Sequence, residues 1–129
     1  MARPASSELT ERELDVMHVF WTLGRATAAE VREELAKGGP DLAYTTVATL
    51  IRILVDKQFV EQVTHERPFS YQPAKTYEEV SGRLLGNVLD RVFRGSRKQL
   101  LVRLMEERAL SDEEKSLLKQ ILREGKVKP

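Results

Sequence analysis

Apolar residues in the first part of the chain recur three or four positions apart, which is the spacing of one face of an α-helix. Three segments show this spacing, namely Leu14–Trp21, Ala28–Leu35 and Val47–Leu54. Gly24 follows the first segment and the run Gly38–Pro40 follows the second, and such residues commonly end helices. The pattern predicts three helices, of which the third covers Tyr44 to Lys57.

Helix starts carry a second signature along the whole chain. A hydroxyl residue is followed three positions later by glutamate in four places, which are Thr10–Glu13, Thr27–Glu30, Thr76–Glu79 and Ser111–Glu114. In this capping box the hydroxyl and the carboxylate satisfy backbone amides that the helix itself leaves unpaired. Each of the four sites therefore predicts the first turn of a helix.

The segment after the third helix alternates in a way that is typical of strands. Val60–Thr64 and Phe69–Gln72 predict two short strands, joined by a turn at His65–Pro68 and ended by Pro73. Three helices followed by a hairpin predict a winged helix-turn-helix, with Arg67 near the tip of the wing. The fold class expected for the chain is mainly α with a small two-stranded wing, followed by a helical C-terminal domain.

The third predicted helix has a second face that is small, hydroxylated and basic. This face has no acidic residue before Asp56, and it carries Tyr44, Thr45, Ala48, Thr49 and Arg52. Threonine can hydrogen-bond base edges or phosphates, alanine can contact a thymine methyl, and arginine can bind guanine with two hydrogen bonds. The face suits the major groove of DNA, but it also suits an ordinary exposed helix surface, and both interpretations stay open at this point.

The C-terminal half carries more apolar surface than isolated helices can leave in water. After Thr76 there is a broad apolar arc, followed by two narrower stripes: Tyr77, Val80, Leu84, Leu85, Val88, Leu89, Val92 and Phe93; Leu100, Leu101, Leu104 and Met105; and Leu117, Leu118, Ile121 and Leu122. This favours packing against a second copy of the chain, and the alternative is a three-helix bundle within one chain. Gly82 and Gly86 interrupt the first helix, either as a place of close helix approach or as a hinge.

Charge and composition narrow the classes of protein. The 129 residues have a net charge of +1, but residues 1–73 hold eight basic and eleven acidic side chains, which is an unusual balance for a DNA-binding head. There is no cysteine, so disulfides and thiolate metal sites are excluded. The chain has neither a signal peptide nor an apolar run long enough to span a bilayer, and we therefore expect a cytoplasmic protein without a membrane partner.

An enzyme is the first rival class, and the residues argue against it. The histidines His18 and His65 have no second histidine at metal-ligand spacing, and no nucleophile elbow, phosphate loop or dinucleotide fingerprint occurs. We expect neither catalysis nor a cofactor. A better rival is a winged helix that binds another protein without sequence-specific DNA binding, which the acidic first half would favour.

Several strings in the chain resemble the penicillinase-repressor family, also called BlaI/MecI/CopY. The likeness runs in register from about Leu9 to Leu122, and its most specific part is Ala43–Leu54 with its adjacent threonines. The strings that carry it are LTERELDVMHVFW, TAAEV, DLAYTTVATLIRILVDK and the exit from the wing at Tyr71–Pro73. The resemblance implies a winged-helix repressor that binds double-stranded operator DNA as a homodimer.

The resemblance and the patterns together give a set of expected site residues. Tyr44, Thr45, Thr46, Thr49 and Arg52 match the recognition-helix positions, while the helix start at Thr27 and Arg67 are expected to hold phosphates. We expect residues 1–74 to form the DNA-binding domain and residues 75–129 to form the dimerisation domain. The expected dimer interface consists of Tyr77, Val80, Leu84, Val88, Val92, Leu100, Leu104, Leu117, Leu118 and Ile121.

The family also implies modes of induction. Some members are inactivated by a regulatory protease, which is thereby a further expected class of partner, and others respond to copper through cysteines that this chain lacks. The resemblance points to a cleaved bond between Asn and Phe, and in-register matching places it at Arg103–Leu104 here. Because neither residue agrees, we expect this chain not to share the cleavage switch in unchanged form, and Arg103 to be a solvated helix residue.

Overall fold

The structure, a computed structural model, describes residues 8–107 and 109–125. Its elements follow in the order α1 (Glu11–Leu23), β1 (Ala26–Thr27), α2 (Ala28–Gly38), α3 (Tyr44–Asp56), β2 (Val60–Gln62), β3 (Ser70–Pro73), α4 (Tyr77–Arg91), α5 (Arg97–Glu107) and α6 (Asp112–Glu124). This mainly helical architecture with a wing confirms the predicted fold class.

All four predicted capping boxes are present. Thr10, Thr27 and Ser111 cap α1, α2 and α6 with reciprocal bonds to the glutamate three positions on. At the start of α4 the Glu79 amide donates to the Thr76 hydroxyl at 3.1 Å. The helix ends also agree with the pattern, since Gly24 closes α1 with a φ of 81° that favours glycine.

The sheet contains one strand that the sequence pattern did not predict. Its strand order is β1–β3–β2, with antiparallel pairing throughout. The predicted hairpin is present, although β2 ends at Gln62 instead of Thr64 and β3 is shifted by one residue to Ser70–Pro73. Two-residue β1 shows no alternation of its own and exists only because Ala26 and Thr27 pair with Tyr71 and Ser70.

The core lies where the three helices meet the base of the wing. Its largest fully buried side chains come from α1, α2, α3 and β2, and they are Phe20, Met17, Ile51, Leu54, Val16, Val31, Val47 and Val60. The α3 face predicted to be apolar supplies three of them, which turns the opposite face of α3 outward. Burial of these side chains is the main source of stability of this part of the chain.

A buried ion pair joins the first turn of α1 to the end of α3. Lys57, the C-cap residue of α3, donates from Nζ to Oε1 of Glu13 at 2.8 Å and to the backbone carbonyl of Glu8 at 2.9 Å. The two side chains are only 7% and 4% exposed. The same Glu13 oxygen accepts the amide of Thr10, so the capping box of α1 and the end of α3 form one network.

The chain divides into two compact units, one up to Ser81 and one from Gly82. This division falls inside α4 and not at the expected limit between residues 74 and 75. Trp21 donates from Nε1 to the carbonyl of Lys75 at 3.0 Å, and its ring packs against that of Tyr77 in a T-shaped arrangement. Val80 is also buried. The first turn of α4 therefore belongs to the first unit.

The second unit has no core of its own. From Gly82 onward, none of the described residues is buried. The three-helix bundle within one chain, which the sequence left open, is therefore not formed. A Cβ added at Gly82 or Gly86 would meet nothing within 4 Å, so neither glycine is explained by a close contact inside the chain.

We predict that removing one partner of the buried pair destabilises the first unit strongly. Lys57→Met leaves the Glu13 carboxylate buried without its cation, and breaking such a pair costs about 3–5 kcal/mol in the free energy of unfolding. Urea unfolding followed by the fluorescence of the single tryptophan, Trp21, measures this change.

The control is Lys37→Met, because the Lys37–Glu34 pair is exposed and such pairs contribute at most about 1 kcal/mol. The double variant Glu13→Gln with Lys57→Met should recover part of the loss, since it removes the buried charge as well as its partner. Equal effects of Lys57→Met and Lys37→Met would contradict the prediction.

Candidate nucleic-acid interface

The outward face of α3 presents the predicted side chains to solvent. Tyr44 is 51% exposed, and Thr45, Thr46, Thr49 and Arg52 are exposed as well. The Thr49 hydroxyl donates to the carbonyl of Thr45 at 2.9 Å, and its oxygen can still accept a hydrogen bond from a ligand. Within the described residues, no side-chain hydrogen bond occupies Thr45, Thr46 or Arg52, so these groups are available to a ligand.

A cleft separates this face of α3 from the wing. It consists of two adjoining cavities of about 560 and 450 Å³, and both are lined by Ala48, Arg67, Phe69 and Tyr71. The larger cavity also reaches Thr27 and Tyr44, and the smaller one reaches Thr49 and Arg52. The structure thus brings five of the seven predicted residues around one concave surface, while Thr45 and Thr46 do not line it.

Arg67 is held in a defined position beside the cleft. Its guanidinium lies over the ring of Phe69, with 5.6 Å between the guanidinium carbon and the ring centroid. Stacking on an aromatic face restrains the side chain and leaves its N–H groups at the edge of the ring. The wing therefore offers a preorganised cation opposite the cation of Arg52 on α3.

The side chain of Thr27 caps a helix and is not a free hydroxyl group. Its side chain accepts the Glu30 amide at 3.2 Å, and its own amide donates to the Glu30 carboxylate at 2.8 Å. The hydroxyl is thus used in the cap of α2. The backbone of Ala28 and Ala29, which also line the larger cavity, forms the positive end of the helix dipole at this point.

Phe69 and Tyr71 belong to the cleft and were missed by the sequence analysis as site residues. Burial raises the pKa of Tyr71 above its ordinary value of 10.0, and the charge of an ionised Tyr44 raises it further. Tyr71 is therefore neutral at physiological pH and keeps its O–H as a donor. The alternation of β3 could have indicated these residues, but the side of the strand that faces α3 depends on the pairing with β1.

Four acidic residues of the first unit are bound in ion pairs or helix caps. Glu13 contacts Lys57, Glu30 caps α2, Asp15 pairs with Arg12, and Glu34 pairs with Lys37. Acids nevertheless reach the start of the outward face of α3, because Glu33 and Asp41 line a cavity together with Tyr44. Each ion pair also uses a cation, so the acidic surplus of residues 1–73 remains unfavourable for DNA binding.

The residues expected at a dimer interface fall into two groups. Val80 is only 4% exposed and is covered within the first unit, where Tyr77 also packs against Trp21. The others lie in the second unit, and those among them that are exposed include Val88, Val92, Leu104, Leu117 and Leu118. Arg103 is exposed on α5 and pairs with Glu106, as expected of a solvated helix residue.

The described part of the chain lacks two other kinds of feature. No helix in residues 8–107 and 109–125 combines the length and the apolar character that crossing a bilayer requires. In the same residues, no group of three or more histidine, aspartate or glutamate side chains could hold a metal ion.

The model of the penicillinase repressor family matches residues 9–124. The chain belongs to the penicillinase repressor family. This confirms the family that the sequence strings indicated. The relatives described next are transcriptional regulators. None of them is an enzyme, in agreement with the sequence analysis.

Three relatives illustrate the range of the match. The penicillinase repressor of Bacillus licheniformis is 30% identical over 122 residues, which covers 92% of each chain. The methicillin resistance regulatory protein MecI of Staphylococcus aureus (strain N315) is 26% identical over 115 residues, 89% of this chain and 93% of the relative. The transcriptional regulator BlaI of Mycobacterium tuberculosis (strain ATCC 25618 / H37Rv) is 30% identical over 101 residues, 78% of this chain and 73% of the relative.

One solved structure supports the fold of this penicillinase repressor family member. The solution structure of the DNA-binding domain of the repressor BlaI matches with a TM-score of 0.50 and 25% sequence identity. The match covers 60% of this chain and 93% of that domain.

We predict that Tyr44 and Tyr71 are coupled across the cleft. Tyr44→Phe removes the charge that repels an ionised Tyr71, so the pKa of Tyr71 should fall toward 10.0 but stay above it, because burial is the larger cause. Because folding raises the pKa of Tyr71, this residue also makes the free energy of unfolding depend on pH. Its contribution is fully present below pH 10 and is lost as the pH rises through the folded-state pKa. NMR titration of ring-labelled tyrosine measures the shift.

Tyr77→Phe serves as the control for this titration, because Tyr77 packs against Trp21 and does not line the cleft. An unchanged Tyr71 midpoint in Tyr44→Phe, or an equal change in Tyr77→Phe, would show that the two tyrosines are not coupled.

Proposed function

We propose that this protein is a transcriptional repressor that binds a dyad-symmetric operator as a homodimer, in the cytoplasm. The observation that carries the proposal is the cleft in which Arg52 of α3 and Arg67 of the wing line the same cavity. A winged helix binds DNA with its recognition helix in the major groove and its wing along the backbone, and this cleft gives both elements a common concave face.

The proposed contacts divide into base reading and positioning. Tyr44, Thr45, Thr46, Thr49 and Arg52 enter the major groove, since they are exposed on one helix face and carry no acid among them. Arg67 and the start of α2 at Thr27, which line the same cavity, bind phosphates. Because only a few cations are available, the non-specific part of the affinity is modest and its dependence on salt is shallow.

The homodimer is proposed from the second unit. Its described residues bury nothing, and several large apolar side chains are about half exposed or more, among them Leu85, Val92, Leu101, Leu104 and Leu122. A soluble chain rarely leaves so much apolar surface in water, and a second copy offers the same stripes in return. Two identical heads related by a dyad then require an operator with dyad symmetry.

We assign DNA binding to residues 1–74 and dimerisation to residues 75–129, with Tyr77 and Val80 attached to the head. Of the ten interface residues expected from the sequence, the eight that follow Ser81 support the proposal best: Leu84, Val88, Val92, Leu100, Leu104, Leu117, Leu118 and Ile121.

The DNA-binding part is tested by two arginine variants. Arg52→Ala should weaken binding to the preferred duplex by roughly 1–3 kcal/mol and relax specificity at one base pair, because it removes a two-bond contact to a base. Arg67→Ala should weaken preferred and scrambled duplexes alike. The preferred duplex is selected from a random library with the unmodified protein, and affinities are measured at several salt concentrations.

Arg12→Ala is the matched control, since Arg12 is an exposed cation on α1 that pairs with Asp15 outside the cleft. Unmodified protein that binds no duplex at low salt would overturn the proposal in favour of a winged helix that binds another protein. Unchanged discrimination in Arg52→Ala would overturn the assignment of α3.

The dimer is tested by placing charge on the exposed apolar face of α4. Leu84→Asp with Val88→Asp should weaken self-association on the order of a thousandfold, because an unpaired charge in a dry interface costs several kcal/mol. Arg83→Asp with Asn87→Asp, which changes polar residues of the same helix, is the control. Sedimentation that finds the unmodified protein monomeric at micromolar concentration would refute the homodimer.

A further inference from the structure

Three cations lie between the end of α4 and the first turn of α5, and the local backbone is unfavourable for each of these residues. We call Arg94, Arg97 and Lys98 the basic elbow. Arg94 has a φ of 54°, in the left-handed region that favours glycine. Arg97 and Lys98 occupy the first turn of α5, where the helix dipole is positive and repels cations.

Among the residues that the structure describes, no anion compensates these charges. Between Arg91 and Met105 the sequence contains no acidic residue. In the part of the chain that the structure describes, no carboxylate lies within ion-pair distance of Arg94, Arg97 or Lys98. A backbone outlier and two unfavourably placed cations, all unpaired, indicate that the elbow binds a group of negative charge from outside the protomer.

The chain contains a segment with the complementary charge. The first turn of α6, which we call the acidic turn, consists of Asp112, Glu113 and Glu114. Glu114 caps the helix through the Ser111 amide, but no cation among the described residues pairs with Asp112 or Glu113. The acidic turn is followed along α6 by the apolar residues Leu117 and Leu118, so charge and apolar surface lie next to each other on this helix.

A groove beside the basic elbow fits the apolar part of α6. It has a volume of about 350 Å³, and its wall consists of the apolar residues Val92, Phe93 and Val102 and the polar residues Arg94, Gln99, Arg103 and Glu106. The one carboxylate in this lining, Glu106, is paired with Arg103. The α6 side chains Leu117, Leu118 and Leu122 are exposed and have no cover in the protomer. Charge and apolar surface of α6 thus match the groove together.

We propose that the basic elbow of one chain binds the acidic turn of a second copy. Pairing within one chain is opposed by geometry, because α6 follows the C-terminal end of α5 while the elbow lies at its N-terminal end. The 11 residues of α5 separate these ends by roughly 16 Å. The inference rests on the proposed homodimer, in which dyad symmetry forms the contact twice.

The test exchanges the two charges between copies. One variant carries Arg97→Glu with Lys98→Glu, and the other carries Asp112→Lys with Glu113→Lys, which leaves the cap by Glu114 intact. Each variant alone should self-associate about tenfold more weakly or worse, because like charges then meet. Mixed together, they should form mostly heterodimers, well above the half that random pairing gives, because every elbow again meets an opposite charge.

Native mass spectrometry of tagged variants gives the heterodimer fraction, and sedimentation gives the dissociation constants. Arg12→Glu with Lys37→Glu, two exposed cations of the head, is the control with the same change in net charge. In Arg97→Glu with Lys98→Glu the first turn of α5 becomes favourable to the helix dipole, so a weaker dimer cannot be attributed to loss of that helix.

The outcomes separate this inference from the proposed function. Random pairing of variants that still dimerise would overturn the elbow contact and leave the homodimer intact. Intact dimers that lose affinity for DNA would overturn it in favour of a phosphate contact. A monomeric unmodified chain would instead refute the homodimer, and with it this contact.

Discussion

The ion pair between Lys57 and Glu13 is the constraint on which the first unit depends most. It joins residues 44 positions apart in the sequence, and both side chains are almost completely buried. A buried pair of charges stabilises a fold little compared with apolar residues of the same size, but it tolerates only one arrangement of its partners. The pair therefore defines where the end of α3 lies relative to the start of α1.

This constraint determines which way the outward face of α3 points. The C-terminal end of α3 is held at Lys57, and its inner face is held by Val47, Ile51 and Leu54 in the core. A helix fixed both along its length and at one end cannot rotate about its axis without breaking one of the two sets of contacts. Tyr44, Thr49 and Arg52 consequently keep their positions toward the wing before any ligand arrives.

Local signals predicted the helices well, because each capping box and each apolar stripe acts within a few residues. The features that the sequence analysis missed are all non-local. Glu13 was predicted as the capping-box partner of Thr10, but nothing near it in the sequence indicates that Lys57 folds onto it. Tyr71 was noticed only as part of the exit from the wing.

Strand β1 and the second unit both show that local sequence patterns do not reveal contacts with distant residues. Strand β1 could not be predicted because two residues have no periodicity, and their extended form depends on pairing with Tyr71 and Ser70, which are distant in the sequence. The apolar stripes of α4, α5 and α6 were evident from spacing, but spacing does not identify what covers them. The sequence therefore predicted which residues form the exposed face of α3 and left the width of the cleft beside it undetermined.

Thr27 belongs to two elements at once, as the last residue of β1 and the N-cap of α2. Through its pairing with Ser70, the base of the wing is attached directly to the helix that precedes α3. The base of the wing is thus held beside α2 and α3 independently of the residues at its tip. The segment between Gln62 and Ser70 supplies Arg67 and Phe69 to the lining of the cleft, so a change of sequence there alters the chemistry of the cleft wall while the attachment of the wing to the helices is retained.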